Sequence, residues 1–292
     1  MKVDVKKVNE VARELTFEVP KETVTPKFDE VYKDLAKKVT VKGFRKGKVP
    51  RNILETHHRQ QAEEEVIRKV VGEAYEKALQ DEDIHPIDLP EIHDVSLKEG
   101  VVRFTAKLEI KPDIQLKEYK GLKVKRKDSK VTDDELNKTL EVFKQGQGKD
   151  VEVNDDFAKG MGFPSLEEFK KSLARQLEME KDRQNKVDVE NQIIEQLLKS
   201  TKVTVPQSLV ERQLHRRLHD YQNQMQQQGV AAEEAQKRIN ESEKELRTAV
   251  EKDVQVYLIL DKIAAEEKMD IKQGENLPAK VIEFLLKEAK WS

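Results

Sequence analysis

The residues whose types and spacing point to a chemistry lie between Lys37 and Arg51. Seven basic side chains fall there (Lys37, Lys38, Lys42, Arg45, Lys46, Lys48 and Arg51), and no acid stands between Asp34 and Glu55. The whole chain of 292 residues carries a formal net charge of only −2, so the cluster is a local device. Gly43, Phe44, Gly47 and Pro50 break the run and make it a shaped loop with one apolar tooth. The chemistry this suits is non-covalent. Cations pair with the phosphates or carboxylates of a large polyanion while an exposed Phe wedges into a crevice. A nucleotide phosphate loop is excluded, because Gly43-x-x-x-Gly47-Lys48 has the wrong spacing and Val49 stands where Ser or Thr would hold magnesium.

Other constellations are weaker. His215 and His219 are four apart on one helix face, a metal-binding spacing, but Arg216 and Arg217 between them repel a cation, so no metal is expected. His57 and His58 are adjacent and point apart on a helix. No Gly-x-Ser-x-Gly and no dinucleotide fingerprint occurs, and the acids are dense and solvating, so neither a catalytic residue nor a cofactor is expected. The absence of cysteine excludes disulfides and thiolate metal sites and fits a cytoplasmic protein. The N-terminus lacks the apolar core of a signal peptide. The longest strongly apolar stretch, 254–260, is too short to span a bilayer, so no membrane partner is expected.

The elements that must position the loop are legible in the apolar spacing. With 38% charged and 36% apolar residues, the chain reads as long solvated helices in an extended shape, with helical periodicity arguing against disorder. Residues 3–8 and 12–19 read as strands, Leu15, Phe17 and Val19 alternating with polar neighbours. Thr25-Pro26 reads as an N-cap and first helical residue, opening a helix whose stripe is Phe28, Val31, Tyr32, Leu35 and Val39. After the basic loop, Pro50 opens one longer helix with Ile53, Leu54, Val66, Val70, Ala74 and Leu79. Residues 84–95 read as irregular, and 101–110 as a half-buried strand with Val102, Phe104, Ala106, Leu108 and Ile110 on one face. This order predicts an α+β domain over residues 1–112, with the basic loop joining its two helices.

Residues 113–150 read as a linker and arm helix, with a short strand at 122–124 and a capping box at Thr132–Glu135 that opens the helix. Residues 151–292 predict a mainly helical domain. A second capping box at Ser165–Glu168 opens it, and Leu166, Phe169, Leu173 and Leu177 share a face. Pro206 and Gly229 punctuate it, and a last helix runs over 278–290 before Trp291. The glutamine run 222–228 reads as a solvated helix end.

GFRKGKVP at 43–50, between two helices of an N-terminal α+β domain, resembles the ribosome-binding motif of the trigger factor family, bacterial chaperones of the nascent-chain exit tunnel. VTDDELNKTLEVFKQGQ (131–147), VNDDFAKGMGFPSLEEFKKSLARQLE (153–178) and TVPQSLVERQLHRRL (204–218) resemble the helical body of the same family, so the likeness covers essentially the whole chain. It implies an α+β ribosome-binding domain followed by an extended helical chaperone domain with arms. It also implies ATP-independent holding of nascent or unfolded chains to assist folding and export.

Gly43, Phe44, Arg45, Lys46, Gly47, Lys48, Val49 and Pro50 would dock on an exit-tunnel ribosomal protein and adjacent rRNA. Phe143, Met161, Phe163, Met225, Ile282, Phe284 and Leu285 are the candidate client contacts. Members of that family can form a homodimer off the ribosome, an expectation that the shorter final hairpin after Asp270 weakens in this chain. Family members insert an isomerase domain where this chain has only Gln145 to Asp150, too short for one, so prolyl isomerase activity is not expected. The alternative reading is an RNA-binding protein that uses the basic loop without chaperone activity.

Overall fold

The computed structural model describes residues 1–41, 44–45, 47–147, 152–272 and 274–291. It divides into two compact units, Met1–Asp113 with Val203–Gln255 and Ile114–Lys202 with Val256–Ser292. The three regions expected from the sequence follow chain order, whereas contacts gather residues 203–255 with the N-terminal domain.

In the first unit, β1 (Lys2–Lys7) and β2 (Ala12–Val19) form a hairpin that leads into α1 (Lys21–Lys38). Two helices follow the basic loop, α2 (Arg51–His57) and α3 (Arg59–Asp81), and then β3 (Glu91–Lys98) and β4 (Val101–Glu109). The sheet is antiparallel in the order β1-β2-β4-β3. Pairing of Leu15, Phe17 and Val19 with Ala106, Phe104 and Val102 puts all six inward-pointing side chains on one face. At its centre the Phe17 and Phe104 rings stack with centroids 4.3 Å apart. Val31, Tyr32 and Leu35 of α1 and Ala62, Val66, Val70, Ala74 and Ala78 of α3 cover that face. The four-residue spacing on α3, with small residues at its ends, gives the helix a narrow stripe that fits close to the sheet.

Three sequence expectations change. Helix α1 begins at Lys21, with Pro20 as its extended N-terminal neighbour, so Pro26 lies inside the helix and not at its start. Only the exposed Glu22 carbonyl loses a donor to Pro26, close to the helix end where the cost is small. The single helix expected after Pro50 breaks at His58 (φ −129°) into α2 and α3. Residues Glu91–Lys98 form an edge strand that begins inside the stretch 84–95 expected to be irregular. Its alternation is hidden by a register shift between His93 and Ser96 and by Asp94 at φ +53°.

The same unit also takes in α7 (Gln207–Gln227) and the first part of α8 (Ala232–Glu266), numbered after three helices of the second unit. The Glu109 carboxylate at the end of β4 accepts from the Gln207 and Ser208 N–H groups (3.0 and 2.8 Å) and the Ser208 hydroxyl (2.6 Å). An anion there meets the unpaired N–H groups and positive dipole end of α7. Arg247 grips Glu211 through both terminal nitrogens (2.5 and 3.1 Å), and Arg217 pairs with Asp253 at 2.5 Å, tying α7 to α8.

The second unit contains β5 (Lys123–Val124), α4 (Asp133–Gln147), α5 (Asp155–Gly160), α6 (Leu166–Ser200), α9 (Leu277–Lys287) and β6 (Lys290–Trp291). The last helix stops at Lys287, and Lys290 and Trp291 form a strand parallel to β5 instead of continuing it. Carboxamides on α6 hold the extended chain beside it. Gln192 both accepts from the Lys125 N–H (2.8 Å) and donates to its carbonyl (2.9 Å). Gln196 donates to Lys123 and Asn185 to Lys127. Thr132 and Glu135 form the expected reciprocal cap of α4, and Ser165 caps α6.

Candidate docking loop and apolar surfaces

The loop is built from its base outward. Val49 is buried in the same core as Leu54 and Tyr32, while Val39, Val41 and Ile53 pack against it. The Gly47 N–H donates to the Ala36 carbonyl at 2.9 Å, folding the loop back on α1. The Lys48 N–H closes a turn onto the Arg45 carbonyl at 2.9 Å, and Gly47 at φ +85° holds the position where a side chain would be strained. Phe44 bonds through its N–H to Val41 (3.1 Å) and leaves its side chain 38% exposed. Arg45, Lys48 and Pro50 are exposed as well. Gly43 and Lys46, named with them in the sequence reading, lie outside the described residues, as does Lys42.

The cations of the run are not equivalent. Lys37 pairs with Asp34 at 3.2 Å. Arg51 pairs with Asp29 through Nη1 and with Glu55 through Nε (2.6 Å), and its guanidinium lies 5.3 Å from the Tyr32 ring centroid. Arg45 and Lys48 make no ion pair among the described residues. The arrangement is a tip of unpaired charge and one aromatic side chain on a base fixed by packing and internal pairing.

The candidate client contacts do not form one surface. Phe143, 36% exposed, meets Phe169 edge-on at 6.0 Å. Phe163 and Phe157 approach the same ring at 5.1 and 5.9 Å, and half-buried Met161 packs on the cluster. Phe169 and Phe157 were not singled out as site residues. The sequence signal for Phe169 was its place on the apolar face opened by the Ser165 cap. Ile282 and Phe284 are half-buried on α9, with the Lys120 ammonium 5.5 Å from the Phe284 ring.

Met225 and Leu285 are core residues, 3% and 1% exposed, and offer no contact surface in this structure. Met225 packs with Ala235 and Ile239 where α7 turns into α8, and Leu285 lies on the inward stripe of α9 with Val281. On α7, the His219 ring nitrogen engages the Asn223 carboxamide at 3.1 Å. Among the described residues no helix is long and apolar enough to cross a membrane.

Family models described as bacterial trigger factor protein and bacterial trigger factor protein C-terminus match residues 1–143 and 165–285. The chain belongs to the trigger factor family. Trigger factor from Geotalea daltonii is 24% identical over 94% of this chain and 86% of its own length; that from Syntrophotalea carbinolica is 26% identical over 94% and 85%. The Syntrophus aciditrophicus trigger factor reaches 36% identity over 53% of this chain and 35% of its own length.

The Geotalea comparison runs over 373 positions against the 292 residues here, so that relative carries tens of residues with no counterpart. A solved structure of the trigger factor chaperone, described for promiscuous substrate recognition in folding and assembly, superposes with a TM-score of 0.56 at 15% identity. It covers 98% of this chain and 99% of the other, which supports the shared fold.

Proposed function

We propose that the protein is an ATP-independent chaperone that docks on the ribosome near the exit tunnel and holds nascent or unfolded polypeptides. The observation that carries this reading is the loop: an exposed Phe44 beside Arg45 and Lys48, which have no ion-pair partner among the described residues, on a base anchored by Val49 and the Gly47 bond, in a chain of this family. Phe44 supplies the wedge, and Arg45, Lys46 and Lys48 the charge toward a ribosomal protein and adjacent rRNA. Gly47 and Pro50 shape the loop, and Val49 holds it. Charge-assisted contacts of this kind place a protein at one site on a polyanion and weaken with salt.

Client holding rests on Phe143, Met161 and Phe163 around Phe169 and on Ile282 and Phe284 of α9. Scattered half-buried apolar groups give weak, releasable contacts whose sum is useful. The chain acts in the cytoplasm and without isomerase chemistry. The two family matches flank residues 144–164, a stretch too short for an inserted β-rich domain. In proline-limited refolding it suppresses aggregation at stoichiometric amounts and does not accelerate folding at catalytic ones.

Joint replacement of Phe44, Arg45 and Lys46 by Ala tests docking. Ribosome co-sedimentation is expected to fall, and unchanged co-sedimentation overturns the reading. Steeply salt-dependent binding to naked RNA with no suppression of aggregation would favour the RNA-binding alternative.

A further inference from the structure

We infer that Arg51, which the sequence groups with the docking cations, is not a polyanion contact but the positioning residue that fixes the base of the loop. The inference rests on the docking reading and divides its cations into two jobs. Arg51 is the first residue of α2, next to Pro50, in a first turn with no acid. A cation there opposes the helix dipole, so its placement calls for compensation from elsewhere.

The structure supplies that compensation from both sides. Asp29 on α1 takes one guanidinium nitrogen and Glu55 on α2 another, while the flat of the group faces buried Tyr32 of α1 at 5.3 Å. The guanidinium therefore bridges the two helices from which the loop springs. Nε, Nη1 and one face of the group are thereby engaged, although the side chain stays about half exposed. An ammonium lacks the planar, pre-organised fork that reaches Asp29 through Nη1 and Glu55 through Nε while lying flat on a ring, so Lys is not equivalent here. Arg45 and Lys48, four and one residues from the Val49 anchor, have no such partners among the described residues and stay available to a polyanion.

Charge and positioning make opposite forecasts for Asp29→Asn. Removing a carboxylate beside a basic loop raises the local positive potential, so a purely electrostatic loop would bind a polyanion more tightly. If Asp29 holds Arg51 in place, binding weakens, because the loop must be ordered at the moment of docking.

The experiment measures affinity for purified ribosomes across a salt series, with hydrogen exchange of the Gly47 amide, for the full chain and its Asp29→Asn, Arg51→Lys, Arg51→Gln and Arg45→Ala variants. Asp29→Asn, Arg51→Lys and Arg51→Gln are expected to weaken binding by about two- to fivefold, the scale of one exposed ion pair. Their salt slopes should match the unsubstituted chain, and the Gly47 amide should exchange faster. Tighter or unchanged binding of Asp29→Asn, undiminished binding of Arg51→Lys, or a salt slope reduced by about one in Arg51→Gln overturns the inference. Arg45→Ala serves the docking reading separately. If it binds as well as the unsubstituted chain, docking through this loop fails, while Gly47 exchange still reports whether Arg51 fixes the base.

Discussion

The basic loop and the aromatic cluster of the second unit use their side chains in opposite ways. In the loop a few residues are fixed by others that never leave the protein: Val49 is buried, Gly47 bonds back to Ala36, and Arg51 is paired internally, so only the tip is free to meet a partner. Around Phe169 the residues proposed to meet clients also hold the local core together, since Phe143, Phe157 and Phe163 all lean on one ring. The first design separates anchor from contact and suits one defined polyanion. The second merges them. Partly buried apolar surface without fixed hydrogen-bond geometry suits many different chains.

That contrast breaks first at its hub. Phe169→Ala removes the shared ring and is expected to cost about 3–5 kcal/mol in the second unit by urea unfolding, with client holding lost and the sheet core of the first unit intact. Next comes the loop anchor. Val49→Ala should cost about 1–2 kcal/mol and weaken ribosome binding without altering its salt slope, whereas Lys48→Ala should leave stability unchanged and lower the slope by about one. Phe143→Ala sharpens the merged design with a smaller effect. Stability should shift by about 0.5–1 kcal/mol, while aggregation of an unfolded client is suppressed less well, read by light scattering.

The smallest effect is on pH. The Lys181 ammonium, 2.6 Å from Glu135, and the Thr132 N–H hold the Glu135 carboxyl down to about 2 from the usual 4.5. A depressed pKa means that this contribution is complete above about pH 4.5 and lost as pH falls toward 2. Glu135→Gln should therefore remove part of the acid-induced loss of helicity seen by circular dichroism between those values, with a modest amplitude because the pair is exposed.

Legibility in the sequence followed burial. Strands β2 and β4 were readable because each has a clean inward set, Leu15, Phe17 and Val19 against Val102, Phe104, Ala106 and Leu108. Edge strand β3 was not, since only Ile92, Ser96 and Leu97 turn partly inward and a bulge breaks their period. The capping box at Thr132 and the N-cap at Ser165 were legible because the bonds that make them span three residues. The grouping of α7 with the sheet was not. It shows in pairings such as Glu109 with Ser208 and Asp88 with Arg212, across 99 and 124 residues, that no local pattern announces.

The loop was conspicuous for its charge, yet charge alone could not tell Arg51, which pairs with Asp29 and Glu55, from Arg45, which has no ion pair among the described residues. The same limit applies to the client residues. Met225 and Leu285 are apolar and helical like Phe143, and only their tertiary neighbours decide which of them is core.

The most direct test of the account is crosslinking of the full chain to ribosomes that carry a stalled nascent polypeptide. The comparison is with the variant bearing Ala at Phe44, Arg45 and Lys46. The unsubstituted protein is expected to crosslink both to the ribosome and to the nascent chain, and the variant to lose both. A variant that still reaches ribosome and nascent chain with undiminished yield would contradict the claim that this loop is the tether.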